Sequence, residues 1–267
     1  MARWLLDCRL LCGHPWRLGL ALEPHERDAL FQLRYDVFVA EQGYGHAGTK
    51  AGPYRDADHF DDWCDHLFLF DDERQRVVGT YRALFGGEAL KRGGFYANDE
   101  FDLSPLNPIA HQILQGGRAC IAPEYRSTLA FQYLSYGMEI LLREYKCQYL
   151  FGADSFRADT ELLSRIYSFV RQSHLDPDWS VEPWPANRAS GLRELPVSAE
   201  DERILPDIIR MDLRLGFRAC GPPAWDPGFG CFDLLMLRRR DNPSRLYNGL
   251  AARIESRLRA NSKPVIP

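Results

Sequence analysis

Two apolar runs, His66 to Phe70 and Val77 to Phe85, flank the charged hexapeptide Asp71 to Arg76. Runs of that length and composition close on so short a polar connection as an antiparallel hairpin. The rest of the chain must be built around it. Upstream, Trp16 to Leu22 alternates as a strand. Past Pro24, Leu30, Leu33 and Val37 recur at helical spacing within His25 to Glu41. Downstream, an irregular stretch from Gly86 to Pro108 precedes a strand over Arg118 to Ala122 and a helix over Ser127 to Tyr145. A short buried strand over Tyr149 to Ala153 and a helix over Thr160 to Gln172 follow. A hairpin embedded in alternating strands and helices predicts an α/β fold with one mixed sheet and helices on its faces.

The C-terminal third elaborates this unit. Asp176 to Pro196, rich in Pro and Trp, reads as a loop or lid. Ile204, Ile208, Met211 and Leu215 then draw the stripe of an amphipathic helix, with Arg203, Arg210 and Arg214 on another face. A short strand between Gly216 and Gly221, another over Cys231 to Leu237 and a helix over Asn242 to Leu258 complete the chain. With 267 residues, 45% of them apolar, the sequence is read as a single domain over 1–267, without internal repeats. Arg3, Asp7, Arg9, His14 and Arg17 interrupt the opening segment, which is therefore neither a signal peptide nor a membrane span. Seven cysteines at 8, 12, 64, 120, 147, 220 and 231 show no paired spacing and no zinc-ligand pattern. They are expected as packed thiols of a cytoplasmic protein, with no metal site.

The net charge of −4 conceals an asymmetry. Between Arg238 and Pro267 eight basic residues face only Asp241 and Glu255, a surplus of six positive charges that leaves −10 on the remainder. Such a tail either meets an anionic partner or is a solvated helix face. With a pI near 6 and no recognisable motif, nucleic acid is not expected as that partner.

Asp58, Asp61, Asp62 and Asp65 crowd eight residues just before an apolar strand. They repel one another unless cations intervene. Arg34, Arg82 and Arg118 stand in otherwise apolar segments, where an unpaired guanidinium is costly. Two readings are open: a buried ion-pair cluster that joins elements, or a site whose acids await a cationic ligand. His66 reads as packed, and Cys120 as a small buried hydrophobe.

The blocks Leu33-Arg34-Tyr35-Asp36-Val37-Phe38, Asp58-His59-Phe60-Asp61-Asp62-Trp63 and Gly79-Thr80-Tyr81-Arg82 resemble the GNAT-related acyltransferases that build ornithine lipids. Glu100-Phe101-Asp102-Leu103, Gly117-Arg118-Ala119-Cys120-Ile121-Ala122-Pro123-Glu124-Tyr125-Arg126 and Cys220-Gly221-Pro222-Pro223-Ala224-Trp225-Asp226 continue the likeness in order over most of the chain. Acyl-homoserine-lactone synthases share a sparser version, and long-chain N-acyl amino acid synthases are similar again. The resemblance implies a GNAT fold and transfer of a 3-hydroxyacyl group from acyl carrier protein to the α-amine of ornithine. An acceptor half over about 16–122 would precede a donor half over about 123–240 and a basic helix over 241–267. Arg34, Phe38, Arg82, Phe101 and Arg118 would bind the acceptor. Cys120, Ile121, Arg126, Ser127 and Thr128 would meet the donor. No cofactor would be resident, because 4'-phosphopantetheine arrives with the carrier. The basic tail would dock that carrier or touch an anionic membrane surface, placing the protein in the cytoplasm or at the inner membrane face.

Two departures bear on mechanism. Where the relatives carry Glu three residues before the strand arginine, Gln115 stands here and cannot be a general base. An ammonium of pKa about 8 to 10 must still lose a proton before it attacks, so Asp58 or Asp61, through a water, is the expected substitute. Second, the turn Arg126-Ser127-Thr128-Leu129-Ala130 lacks the glycines that let a backbone wrap a pyrophosphate. A single phosphopantetheine phosphate is the easier guest. Another N-acyl amino acid or lactone synthase, or a catalytically silent binding protein of the same fold, are the competing functions.

Overall fold

A computed structural model of the chain describes residues 1–9, 13–44, 54–126, 128–241 and 245–261. An N-terminal strand that sequence reading missed, β1 (Arg3–Asp7), pairs antiparallel with β2 (Trp16–Leu20). Helix α1 (Pro24–Arg34) starts with proline in its first turn and a Glu23/Glu26 capping box. It then widens into a π-helical stretch, Tyr35–Glu41. Wide turns of this kind redirect side chains at functional positions.

The expected hairpin is present, as β3 (Asp65–Asp71) and β4 (Arg76–Phe85). The segment expected to be irregular holds α2 (Gly86–Lys91), short 3-10 turns and β5 (Phe101–Asp102). Next come β6 (Ile113–Ile121), longer than the predicted strand because Ile113 and Leu114 extend it backwards, and α3 (Ala130–Glu144). The chain continues through β7 (Tyr149–Phe156), α4 (Thr160–Ser173) and β8 (Glu182–Pro183), which pairs with β5 inside the expected loop. The amphipathic helix is α5 (Asp207–Leu215), ended by Gly216 in a left-handed cap. After β9 (Arg218–Ala219), β10 (Ala224–Asp226) and β11 (Cys231–Arg239), the chain ends in α6 (Arg245–Asn261). The first residues of the expected last helix, 242–244, lie outside the described residues.

The main sheet runs β1-β2-β3-β4-β6-β7-β11-β10, with β9 also on β11. Alternation along the strands divides the interior into two main cores, with a small third cluster around Leu30 and Phe68. Leu150, Leu234 and Met236 face one, beneath α3 and α5, while Phe151, Leu235 and Leu237 face the other, around Phe95 and Phe101. Six described cysteines are buried free thiols.

One junction is unlike the rest. β6 and β7 are parallel, and they pair only from Ile113↔Tyr149 to Gln115↔Phe151. Beyond that the strands separate. At the parting point a Cβ on Gly152 would lie 2.8 Å from the Gly116 carbonyl oxygen. On the other side of β6, Thr80 pairs with Cys120 and Arg82 with Gly117, so Arg118 and Ala119 both stand opposite Tyr81. This is a bulge, and it puts Arg118 in the left-handed region at φ 51°.

Gly152→Ala should therefore cost about 1–3 kcal/mol through overpacking and lower Tm by several degrees in thermal unfolding. Gly249→Ala, where α6 offers open space, should hold or raise Tm.

Candidate functional site

The three arginines from apolar segments converge on the loop before β3. Arg34 Nη1 and Nη2 donate to Asp61 Oδ1 and Oδ2 at 2.9 and 3.1 Å, and Nη2 also reaches Asp56 Oδ1 at 3.1 Å. Arg82 Nη1 donates to Asp58 Oδ1 at 2.7 Å and Asp61 Oδ1 at 3.0 Å. Arg118 reaches Asp56 and Asp58 at 3.4 Å. With the Asp58 backbone N–H on Asp61 Oδ2, the four acceptor positions of Asp61 are filled. Burial alone would raise the Asp61 pKa, but Arg82 and Arg34 hold it well below the usual carboxylate range. Asp58, half-buried, is held low by Arg82 and Arg118 against the rise that its partial burial favours. Beside them, burial pushes the His66 pKa down to about 4, and its Nε2 meets the Asp61 carbonyl at 2.9 Å.

Three arginines thus match three aspartates. The expectation that these acids lack cations is not met, because Asp56, hidden in a Gly- and Asp-rich loop, joins the cluster and all six groups are mutually neutralised. Asp62 is exposed, and Asp65 accepts from the Tyr145 hydroxyl. An acid as depressed and as fully engaged as Asp61 is a poor proton acceptor. Asp58 and Asp61, the expected bases, line neither of the cavities beside the cluster.

Two adjoining cavities lie beside this cluster. A cleft of about 580 Å³ opens where β6 and β7 part, with Arg118, Tyr96 and Asp154 on its walls. An apolar cavity of about 510 Å³ lies under α3 and α5, lined by Cys120, Ile121, Met211 and Leu215. Phe38, Gln42, Ala119, Phe131 and Ile208 line both. Phe38 sits in the π-helical stretch. Of the expected donor contacts, Arg126 and Thr128 line the apolar cavity, while Ser127 lies outside the described residues. Burial pushes the Cys120 thiol up to about 12, so it is no nucleophile. Among the expected acceptor contacts only Phe38 and Arg118 reach the cleft. Arg34 and Arg82 are enclosed by the ion cluster, and Phe101 is wholly inside the second core. Gln115, also fully buried, lines neither cavity; its Oε1 accepts from the Tyr96 N–H at 3.1 Å and so fixes the backbone under the Tyr96 ring.

The acids that do face the cleft are ones sequence reading passed over: Asp154 on β7, Asp212 on α5 and Asp226 on β10. Behind Asp226, Glu100 and Asp233 each bring a carboxylate oxygen within 4.8 Å of the other two. Burial, then Asp233 and Asp226, pushes the Glu100 pKa up to about 10. Burial likewise raises Asp154, and Asp212 to about 7. A signal for the first two exists in the sequence. Asp154 continues an apolar strand, and Asp212 falls on the α5 stripe four residues after Ile208.

Residues 33–136 match the acetyltransferase (GNAT) domain family. The L-ornithine N(alpha)-acyltransferase of Brucella abortus is 31% identical over 81% of this chain and 81% of its own length. That of Rhodobacter capsulatus is also 31% identical, over 83% of this chain and 89% of its own. The chain belongs to the L-ornithine N(alpha)-acyltransferase family. The fold of this acyltransferase is shared by an N-acyl amino acid synthase from uncultured soil microbes, with a TM-score of 0.54 at 14% identity, covering 88% of this chain and 97% of the other. Among the described residues of the acyltransferase, no helix is long and apolar enough to cross a membrane.

Removing one partner from a buried ion cluster strands the others. Asp61→Asn should therefore destabilise the acyltransferase by about 3–5 kcal/mol, read as a shift in urea midpoint, whereas the exposed Asp62→Asn should leave the midpoint in place. An Asp61→Asn protein as stable as the parent would mean that the charge serves a ligand instead.

Proposed function

We propose that this acyltransferase moves a 3-hydroxyacyl chain from acyl carrier protein to the α-amine of L-ornithine, giving the lyso form of an ornithine lipid. The observation that carries the reading is the pair of joined cavities, one apolar and one acid-walled, meeting at the β6 bulge. An acyl chain fits the first and a small cationic amine the second. The relatives are named for ornithine acylation, which supports the choice of acceptor.

The bulge also offers a group to polarise a thioester. Ala122 N–H bonds the Val78 carbonyl directly opposite at 2.9 Å. Alternation then turns the N–H of its neighbour Ile121 away from β4, toward the open side where β7 has departed. An amine in the cleft attacks the carbonyl carbon, the developing oxyanion takes the Ile121 N–H, and the C–S bond breaks as the C–N bond forms. The amine sheds its proton to solvent or a cleft carboxylate, and the departing pantetheine thiolate takes up a proton from the same source and is released as thiol. No acyl-enzyme is formed.

Donor choice is supported by what the turn before α3 withholds. The Thr128 hydroxyl takes the Ala130 N–H at 3.2 Å, and Arg126 is clamped on Glu41 by two 2.6 Å bonds. Both groups would otherwise greet a pyrophosphate. The exposed Arg253 of α6 lines the mouth of the apolar cavity, where a carrier's acidic surface would approach. The same basic surface could instead rest on an anionic bilayer.

Incubating the purified protein with 3-hydroxyacyl carrier protein and a panel of amino acids should give N-acylornithine as the principal product by mass spectrometry. Exclusive acylation of another amino acid, or no product at all, would overturn the acceptor assignment. Turnover with acetyl-CoA should be at least tenfold lower, and comparable turnover would overturn the donor. Arg253→Glu should raise the KM for the acyl carrier several-fold at low salt and flatten its salt dependence, without moving the KM for ornithine. Unchanged carrier kinetics with lost binding to anionic vesicles would assign the surface to membranes.

A further inference from the structure

Of the cleft acids, Asp154 and Asp212 are held differently from the balanced cluster. Asp154 lies on β7 beyond the parting point, paired across to Leu234 of β11. Its side chain therefore shares the face of Leu150 and Phe156, which α5 covers with Ile209 and Asp212. Asp154 is only 6% exposed, lines the cleft, and its Oδ2 meets no N–H or hydroxyl donor among the described residues. Asp212 is 9% exposed and lines the same cleft.

The cations nearby are committed. Arg238 bonds Glu139 at 3.2 Å, and its charge also bears on Asp212, opposing the rise that burial imposes there. Arg157 donates to the carbonyls of Gln42 and Gly43 at 2.8 Å. Arg118 serves Asp56 and Asp58. Two buried carboxyls side by side favour holding a proton between them: burial, then Asp212, pushes the Asp154 pKa up, and burial raises Asp212 to about 7. A cation entering the cleft would answer the one negative charge that a shared proton leaves on the pair. A primary ammonium suits the place, since its three N–H donors can serve both carboxylates at once.

We propose that Asp154 and Asp212 form a subsite for the side-chain ammonium of a diamino acid, separate from the amine that attacks. The inference rests on the amine-acylating function proposed above and specifies how the acceptor is chosen. The bulge at Ala119 and the carboxyl pair lie on walls of one cleft, so the α-amine can meet the thioester while the distal amine is held between β7 and α5. An amino acid lacking that amine leaves the pair as it is in the free protein. Discrimination then comes from a buried charge left unanswered, which rejects the wrong substrate more strongly than a missing methylene does.

The test uses the full chain with ornithine and with norvaline, which has the same carbon skeleton without the distal amine. In the absence of acyl donor, ornithine should raise the Tm of the parent protein and norvaline should not. The variant carrying both Asp154→Asn and Asp212→Asn should lose the ornithine shift. Should it fail to fold, Asp212→Asn alone, at the less enclosed member, should at least halve the shift. With acyl donor present, the ratio of KM for norvaline to KM for ornithine should fall at least tenfold in the variant. An ornithine shift that survives, identical shifts with both amino acids in the parent, or equal rises in both KM values would overturn the subsite. Transfer measured on the parent separates the two ideas. If no amino acid is acylated but the charge-dependent shift is present and lost in the variant, the acylation reading falls and the ammonium subsite stands.

Discussion

The buried exchange of charge between three arginines and three aspartates is what the surrounding architecture depends on. It draws one guanidinium from α1, one from β4 and one from the β6 bulge onto a single loop. Burying six charges is expensive, and such a cluster adds little stability over a well-packed apolar one. What it adds here is geometry. Arg118 holds a backbone conformation uncommon outside glycine, and its tether to Asp56 and Asp58, with its guanidinium 4.4 Å from the centre of the Phe229 ring, keeps the bulge in place. A bulge at that point bends β6 away from β7, and the cleft exists because of the bend.

The molecule therefore contains two populations of acids with opposite electrostatic character. Around Asp61 each carboxylate meets a guanidinium, and only Arg118 and Asp58 keep partial exposure. Around Asp154 and Asp212, and again around Glu100 and Asp233, carboxyls outnumber the cations that could answer them. Imbalance of that kind costs stability and is retained where a ligand can discharge it. Both populations contribute to the walls of one cleft, the first through Arg118 and the second through its unanswered acids.

Much of this was legible in the sequence. The hairpin, the crossover helices and the amphipathic α5 follow from periodicity, and Arg34, Arg82 and Arg118 betray themselves as charges in apolar runs. β1 was missed because five residues interrupted by Arg3 and Asp7 carry too little alternation to separate a strand from a polar leader. The extent of β6 was missed because Gly116 and Gly117, which admit the rings of Tyr81 and Tyr96, disguise its pattern. Asp56 was lost among loop acids, so the charge balance of the cluster could not be counted. Phe101, Arg34 and Arg82 stand beside the cleft without reaching it, a distinction that spacing along a chain does not encode. Asp154 and Asp212 are about sixty residues apart, and only the docking of α5 over the departing end of β7 brings them together.

The order of strands in the sheet also has a kinetic side. β1 pairs with β2 and β3 with β4 across short connections, while β2 meets β3 over a separation of about fifty residues. β7 waits for β11, whose partners such as Leu235 and Ala153 are about eighty residues apart, and contacts of such separation form late in folding. The N-terminal sheet and its ion cluster can therefore assemble once β6 has supplied Arg118, whereas the far wall of the cleft requires nearly the whole chain. A nascent or truncated molecule would present a folded half-sheet with an open edge at β6, and the passage to a finished cleft is the step at which such a chain is most exposed to association with its copies.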